Sequence, residues 1–329
     1  MAKETKTGRI AIISDIHGNK TALDAALHEI SRKKDIERIV CLGDNVGYCG
    51  QTVEVVRTLR DKGIHSCLGN HEEALKLVAG GIKEGGLKLM GINPIAARSI
   101  VGAYTQLTRA PDGKELLTFL IGTPERHYED GLPERIQIGK NARGCHSFRD
   151  EKGSMRYFMS AELADKYGIK HTNLFQKPKT VVDHPETFTP GLKSWFLGHT
   201  HVPTAHVFES VPGKKLKDHE YVPQRVEFTT RDGKKGAAIL GFKLGRGYRG
   251  IVNVGSIGIS RRRDYETIET SKGNAMLPAY YAIYNPDDGK VDFVEFYYEI
   301  EKVREETKKA FGEKNIFTKL ERRKWQNLD

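Results

Sequence analysis

Cysteine is scarce in this chain of 329 residues: Cys41, Cys49, Cys67 and Cys145 are the four present. Four are too few to staple a domain of this size, and none stands in a C-x-x-C pair, so disulfides are not expected. Cys41, Cys67 and Cys145 close apolar runs and read as small buried residues on strands. Long apolar runs are missing too. None approaches the roughly 20 residues that cross a bilayer, so no membrane association is expected. The opening Met-Ala-Lys-Glu-Thr-Lys-Thr lacks the apolar core of a signal peptide, and the default expectation is a cytoplasmic location. There is no internal repeat, no low-complexity tract and no linker-like stretch. A single domain over 1–329 is expected, with its core at about 9–300, an insertion at about 208–245 and a basic helix and tail at 301–329.

What is present is charge. Charged residues make up 29% of the chain against 38% hydrophobic, and the formal net charge is +10. The excess lies late, in Lys214, Lys215, Lys217, Arg225, Arg231, Lys234 and Lys235, then Arg246, Arg249 and Arg261 to Arg263, then the tail. A field of this sign attracts anionic, phosphorylated substrates. Nucleic acid is a second partner class, but few aromatic residues interleave with the basic ones, which argues against single-strand stacking. The segment from Lys214 to Lys235 reads as a surface excursion that collects anionic substrate, with a plain solvated face as the alternative.

Arg9 to Ser14 is a short run rich in β-branched residues, which suits a buried strand. Lys20 to Ile30 follows with Leu23, Ala26, Leu27 and Ile30 at helical spacing. A second strand is expected at Arg38 to Leu42, a helix at Thr52 to Asp61, a third strand at Ile64 to Leu68 and a helix from Glu72. Two helices divided at Pro111-Asp112 follow between Asn93 and Leu120. Strands are expected at Gln137 to Cys145 and Trp195 to Leu197. Beyond His201 the pattern turns to β until a charged helix at Glu301 to Phe311. The early alternation indicates an α/β architecture.

Polar residues fall at the ends of these strands. Asp15 and His17 follow the first, Asp44 the second, Asn70 and His71 the third. His146 follows the run ending at Cys145, and His199 and His201 follow Trp-Phe-Leu-Gly. Open α/β sheets bind ligands at the carboxyl ends of their strands. Five ends that each deliver His, Asp or Asn therefore point to one shared site, although any one of them alone reads as a cap or turn. His28, His65, His127, His206 and His219 lack such a setting and read as structural or surface groups.

Asp15-Ile16-His17, Gly43-Asp44, Gly69-Asn70-His71-Glu72, the separate His146 and Gly198-His199-Thr200-His201 resemble the calcineurin-like metallophosphoesterases. The bacterial predicted-phosphoesterase branch is the nearest in pattern, through Gly43-Asp44-Asn45-Val46-Gly47-Tyr48 and Asn253-Val254-Gly255-Ser256-Ile257-Gly258. The resemblance implies a four-layer αββα sandwich with loop insertions. It also implies two divalent metal ions, with Asp44 bridging them. Asp15, His17 and His201 would serve one ion, and Asn70, His146 and His199 the other. His71 would be the general acid. Imidazole with oxygen donors suits Mn²⁺ foremost, then Fe, Zn²⁺ or Ni²⁺, over Ca²⁺.

The implied activity is metal-dependent hydrolysis of phosphate esters, with phosphodiesters or nucleotides as substrates. The alternatives are a phosphomonoesterase or protein phosphatase, and a nucleic-acid-binding protein with an inactive metal site. Gly47 and Tyr48 stand where the protein-phosphatase branch carries Asp and a phosphate-binding Arg. His146 is followed by Ser-Phe-Arg where the branch reads Gly-[Ser/Thr]-Pro, which leaves His171 and His184 as alternative ligands. Tyr48 and Arg261 are the candidate substrate-binding residues.

Overall fold

The computed structural model describes residues 8–123, 130–159, 190–209, 241–243, 248–261 and 275–312, with the strands at 175–176, 217–221, 225–229, 235–239 and 268–269. His127, His171, His184, Lys214, Lys215, Arg262, Arg263 and the tail from 313 lie outside the described residues, as does most of the side-chain detail of the expected insertion.

In chain order the first elements are β1 (Arg9–Ile13), α1 (Lys20–Ser31), β2 (Ile36–Cys41), α2 (Thr52–Asp61), β3 (His65–Ser66) and α3 (Asn70–Ala79). Helices α4 (Glu84–Leu89), α5 (Pro94–Arg109) and α6 (Gly113–Ile121) come next. Then follow β4 (Arg135–Gly139), β5 (Ala142–Cys145), β6 (Tyr157–Phe158), β7 (Phe175–Gln176), β8 (Ser194–Leu197), β9 (Pro203–Glu209) and β10 (Lys217–Tyr221). The last group is β11 (Arg225–Thr229), β12 (Lys235–Ile239), β13 (Phe242–Lys243), β14 (Tyr248–Val254), β15 (Ile268–Glu269), β16 (Ala275–Asn285), β17 (Lys290–Glu299) and α7 (Ile300–Phe311).

Two large sheets result, one in the order β13-β17-β16-β1-β2-β3 with β15 on β16, the other β10-β9-β14-β8-β5-β4. Strand β1 explains how they stack. Its side chains alternate, so Ile10 and Ile12 enter the core between the sheets beside Phe196, Val252 and Tyr280. Ala11 and Ile13 face the other way, against Leu23, Ala26, Val55, Leu59 and Val303 of α1, α2 and α7. Helix α1 starts where Asn19 accepts a hydrogen bond from the Ala22 N–H at 2.9 Å. Helices α3, α5 and α6 share a separate apolar cluster through Leu75, Ile100, Leu107 and Leu120. The α/β fold, two sheets with helices outside, agrees with the sequence. All four cysteines are free and buried. No helix among the described residues is long and apolar enough to cross a membrane.

Several local expectations need correction. The third strand shrinks to His65–Ser66, and its helix begins at Asn70 instead of Glu72, so Asn70 and His71 occupy a first helical turn. Gln137 to Cys145 is an antiparallel hairpin of β4 and β5. Helix α4 was unmarked in the sequence because its six residues contain two glycines and show too little period to read.

For the site, direction matters most. Strands β1, β2 and β3 run parallel in one sheet, and β5, β8 and β14 run parallel in the other. Their carboxyl ends therefore emerge at one edge of the stack.

Phe196, fully buried between the sheets with its ring 5.0 Å from that of Tyr284, reports on this stacking. Phe196→Ala is expected to cost about 3–5 kcal/mol of unfolding free energy, read as a lowered urea midpoint with unchanged slope.

Candidate metal centre

The loops that leave the strands are stitched together by their backbones. Asp15 N–H donates to Gly43 O at 3.0 Å and His17 N–H to Asp44 O at 2.9 Å, so the β1 and β2 loops run side by side. The loop after β14 ties in behind them: Ser256 Oγ donates to Asp15 O at 2.9 Å, and Gly258 N–H donates to the same carbonyl at 3.0 Å. Gly198 precedes His199 where space runs out, since a side chain there would collide with Ser14 and Asp15.

These loops bend sharply. Among the described residues, the non-glycine positions with positive φ are Asp15 (54°), His17 (52°), Asp44 (53°), Tyr48 (52°), His199 (70°) and His201 (60°). Each left-handed residue costs about 1–2 kcal/mol. All six were singled out as site residues from the sequence. In both D-x-H and H-x-H the left-handed turns fall on the outer residues of the triplet, and both triplets aim those side chains into one space.

Three sets of donor atoms converge, each within 4.8 Å: Asp15, His17 and His201; His17, Asp44 and His71; and Asp44, His146 and His199. Asp44 belongs to two of them. Its Oδ2 lies 3.8 Å from His17 Nε2, 4.0 Å from His71 Nε2 and 3.3 Å from His146 Nε2. Asn70 joins through Oδ1, 3.0 Å from His146 Nε2. All eight residues expected to form the centre are thus brought together, His146 among them.

Around this group the hydrogen bonds fix which nitrogen faces inward. His17 Nδ1 donates to Val46 O at 3.3 Å, His146 Nδ1 to Leu42 O at 2.7 Å and His201 Nδ1 to Ile259 O at 2.6 Å. A carbonyl only accepts, so each neutral ring leaves Nε2 as a bare lone pair. Yet His17 Nε2 and His201 Nε2 lie 3.0 Å apart, and His201 Nε2 is 3.3 Å from Asp15 Oδ1. Lone pairs crowded this closely in a buried site call for a cation between them.

Proton affinities tell the same story. His17 and His199 are held well below the usual imidazole range, by burial first and then by neighbouring imidazoles. Burial also opposes charge on His146, but the Asp44 carboxylate outweighs it and lifts that ring to about 10. Burial likewise works against the Asp44 charge, and His146, His71 and His17 still hold its carboxyl well below the usual range. The metal-free cluster therefore keeps positive charge where acceptors surround it. Imidazoles with carboxylate and amide oxygens form the borderline donor set preferred by first-row divalent ions.

Beneath the centre, Glu72 accepts from four backbone N–H groups: Gly69 at 2.9 Å, Asp44 at 3.0 Å, Asn45 at 2.8 Å and Val46 at 3.3 Å. Its carboxylate clamps the Asp44 loop to the start of α3. Burial and the Asp44 charge push it up to about 7 despite those donors. Asp44 Oδ1 in turn accepts from His71 N–H at 2.9 Å.

Tyr48 is half-buried, its ring 4.8 Å from both His17 and His71. The backbone N–H of Arg261 donates to His201 O at 3.3 Å. Sequence reasoning missed Tyr157, whose ring stacks on His199 at 4.3 Å. No motif surrounds it; the available signal was only an aromatic pair after a polar loop.

Comparisons with known proteins agree with this geometry. The sequence pattern of the family described as calcineurin-like phosphoesterase matches residues 8–203. An uncharacterized protein of Methanocaldococcus jannaschii is 48% identical over 63 residues, 19% of this chain and 26% of that protein. Serine/threonine-protein phosphatase 2 of Escherichia coli K12 is 33% identical over 63 residues, 19% of this chain and 29% of that protein. The chain thus matches about a quarter of the length of these two relatives. Among solved structures, a metallophosphoesterase from Sphaerobacter thermophilus is similar in fold, with a TM-score of 0.55, 23% identity and coverage of 92% of this chain and 94% of that one.

The Glu72 clamp is directly testable. Glu72→Gln turns one acceptor into a donor that faces backbone N–H groups, and should cost about 1–3 kcal/mol in urea unfolding of metal-free protein. An unchanged midpoint would show that the clamp does not hold the loop.

Proposed function

Because the chain belongs to the calcineurin-like phosphoesterase family, we propose that it hydrolyses phosphate esters with two divalent metal ions, acting on phosphodiesters or nucleotides. The observation that carries this reading is Asp44, one buried carboxylate shared by two donor clusters. Asp15, His17 and His201 would hold one ion, Asn70, His146 and His199 the other, with Asp44 reaching both. Mn²⁺ fits this set foremost, with Fe, Zn²⁺ or Ni²⁺ as alternatives. Bound there, divalent ions supply the charge that offsets the phosphoryl oxygens and make water acidic enough to attack phosphorus.

The protein's own groups do the rest. His71 is buried beside Asp44, and its Nδ1 has no hydrogen-bond partner because it faces Gly47. Its Nε2, on the Asp44 side, is the atom that gives a proton to the leaving oxygen. Burial lowers the proton affinity of this ring against the pull of Asp44. The protonated form is then a stronger acid but a scarcer one, so its contribution falls as pH rises. Tyr48, on the same side, closes the pocket around the leaving group.

A phosphomonoesterase or protein phosphatase is the second reading, supported by the local similarity to the E. coli phosphatase. Against it stands Tyr48, which takes the place of that branch's phosphate-binding Arg. A nucleic-acid-binding protein with a retired site fits less well, since the donor set and His71 are complete. A cytoplasmic location belongs to the same proposal, since four free buried thiols suit a reducing compartment.

Chelation should abolish hydrolysis of a nitrophenyl diester, and Mn²⁺ should restore it; full turnover by metal-stripped protein would sink the proposal. His71→Ala should lower kcat by about 10²–10⁴-fold while bound metal stays constant. The deficit should shrink for esters with more acidic leaving groups. A fall in metal content instead would make His71 a ligand.

A further inference from the structure

The two ends of the centre differ chemically. At the His71 end lies the phenol ring of Tyr48. At the His199 end Tyr157 stacks on the imidazole, with ring centroids 4.3 Å apart and planes at 27°. Arg261 Nη1 donates to the Tyr157 hydroxyl at 3.0 Å, and its guanidinium carbon lies 5.3 Å from the centre of that ring. The cation is thus held against Tyr157, whose ring covers His199, and its charge reaches that imidazole.

A dedicated loop delivers Tyr157. Residues 147–156 leave the centre after His146 and return to β6 through an isolated bridge between Arg149 and Met155. Asp150 closes the turn by accepting from the N–H groups of Lys152 at 3.0 Å and Ser154 at 2.8 Å, and from Arg156 Nε at 2.7 Å. Arg149 anchors the loop outward, to Glu73 on α3 and to Glu134 at 3.1 Å. Phe158 then plugs into the aromatic cluster of Trp195 and Phe208. Tyr157, itself only 7% exposed, therefore has little freedom to move.

We infer that Arg261, held in place by Tyr157, binds a second phosphate of the substrate, on the side of the scissile phosphorus away from the leaving group. The inference rests on the proposed hydrolysis, in which the scissile phosphate sits over Asp44 and the leaving oxygen faces His71. A guanidinium whose side chain is anchored on the Tyr157 hydroxyl, and not on the Asp44 carboxylate, is better placed for an anion joined to the scissile group through a short spacer, such as a ribose, than for the scissile group itself. A guanidinium is a permanently charged phosphate partner, and one already held by Tyr157 loses little freedom on binding. Tyr157 is a positioning residue in this scheme; Arg261 touches substrate. The substrate class narrows to nucleotides that carry phosphate on both sides of the sugar.

Thymidine 3′,5′-bisphosphate and thymidine 5′-monophosphate differ only in that second group. Calorimetric titration with Mn²⁺ present, in a His71→Ala background that prevents turnover, should show the bisphosphate binding about tenfold more tightly. Arg261→Gln should erase the difference by weakening the bisphosphate alone, Arg261→Lys should keep part of it, and Tyr157→Phe should fall between. In turnover, the nitrophenyl ester of thymidine 5′-phosphate should be compared with its 3′-phosphorylated counterpart. Arg261→Gln should raise KM for the second at constant kcat and leave the first within about twofold. Equal weakening of both ligands would place Arg261 on the scissile phosphate, and no weakening would leave it outside the site; either result overturns the inference. Failure of the parent enzyme to hydrolyse either ester would count against the proposed function, while the binding contrast would still decide the role of Arg261.

Discussion

Asp44 has imidazole nitrogens at 3.3, 3.8 and 4.0 Å from a single carboxylate oxygen, and its side chain is buried. Three imidazoles of the centre, those of His17, His146 and His201, donate their far nitrogen to a backbone carbonyl, so in the neutral ring the near nitrogen can only accept. This crowding of acceptors is the constraint on which the rest of the structure depends. Without a cation the cluster must retain protons, and His146 is the ring that holds one most firmly. Burial of unpaired charge costs several kcal/mol per group. An ion bound by the folded chain alone would offset that cost.

The backbone around Asp44 carries a matching cost. Among the described residues, five left-handed non-glycine residues follow strand ends in both sheets and a sixth, Tyr48, lies farther along the loop after β2, which at about 1–2 kcal/mol each is comparable with the net stability of many domains. Strain of this size survives only where surrounding structure over-determines it. Here the inter-sheet core sets the strand ends on one edge, the Glu72 carboxylate gathers four N–H groups beneath them, and the Ser256 loop locks the β1 turn from behind. Packing and polar networks far from the chemistry thereby fix the position of each donor.

Much of this was legible in the sequence. The D-x-H, G-D, G-N-H-E and G-H-x-H groups follow apolar runs, and strand ends in a parallel sheet converge by geometry alone, so the donor residues could be named before any coordinates. Asn253 to Gly258 was visible as a motif, though its task of bracing Asp15 was not. The start of α3 was misplaced because Asn70 and His71 look like turn residues, while Glu72 at the third helical position supplies the cap that lets the helix begin earlier. Tyr157 was out of reach for a different reason. Its place beside His199 depends on a loop closed by Asp150 and Arg156, and no local period or spacing encodes a contact between residues 42 apart in sequence.

The central claim is that Asp44 joins two metal sites, and the number of ions bound per chain tests it most directly. Metal-stripped protein equilibrated with Mn²⁺ and measured by elemental analysis against protein concentration should hold two ions per chain. Asp44→Asn, which keeps the shape and removes the charge, should hold fewer than two while remaining folded. A parent protein that binds one ion or none, or an Asp44→Asn variant that still binds two with unchanged affinity, would contradict the account.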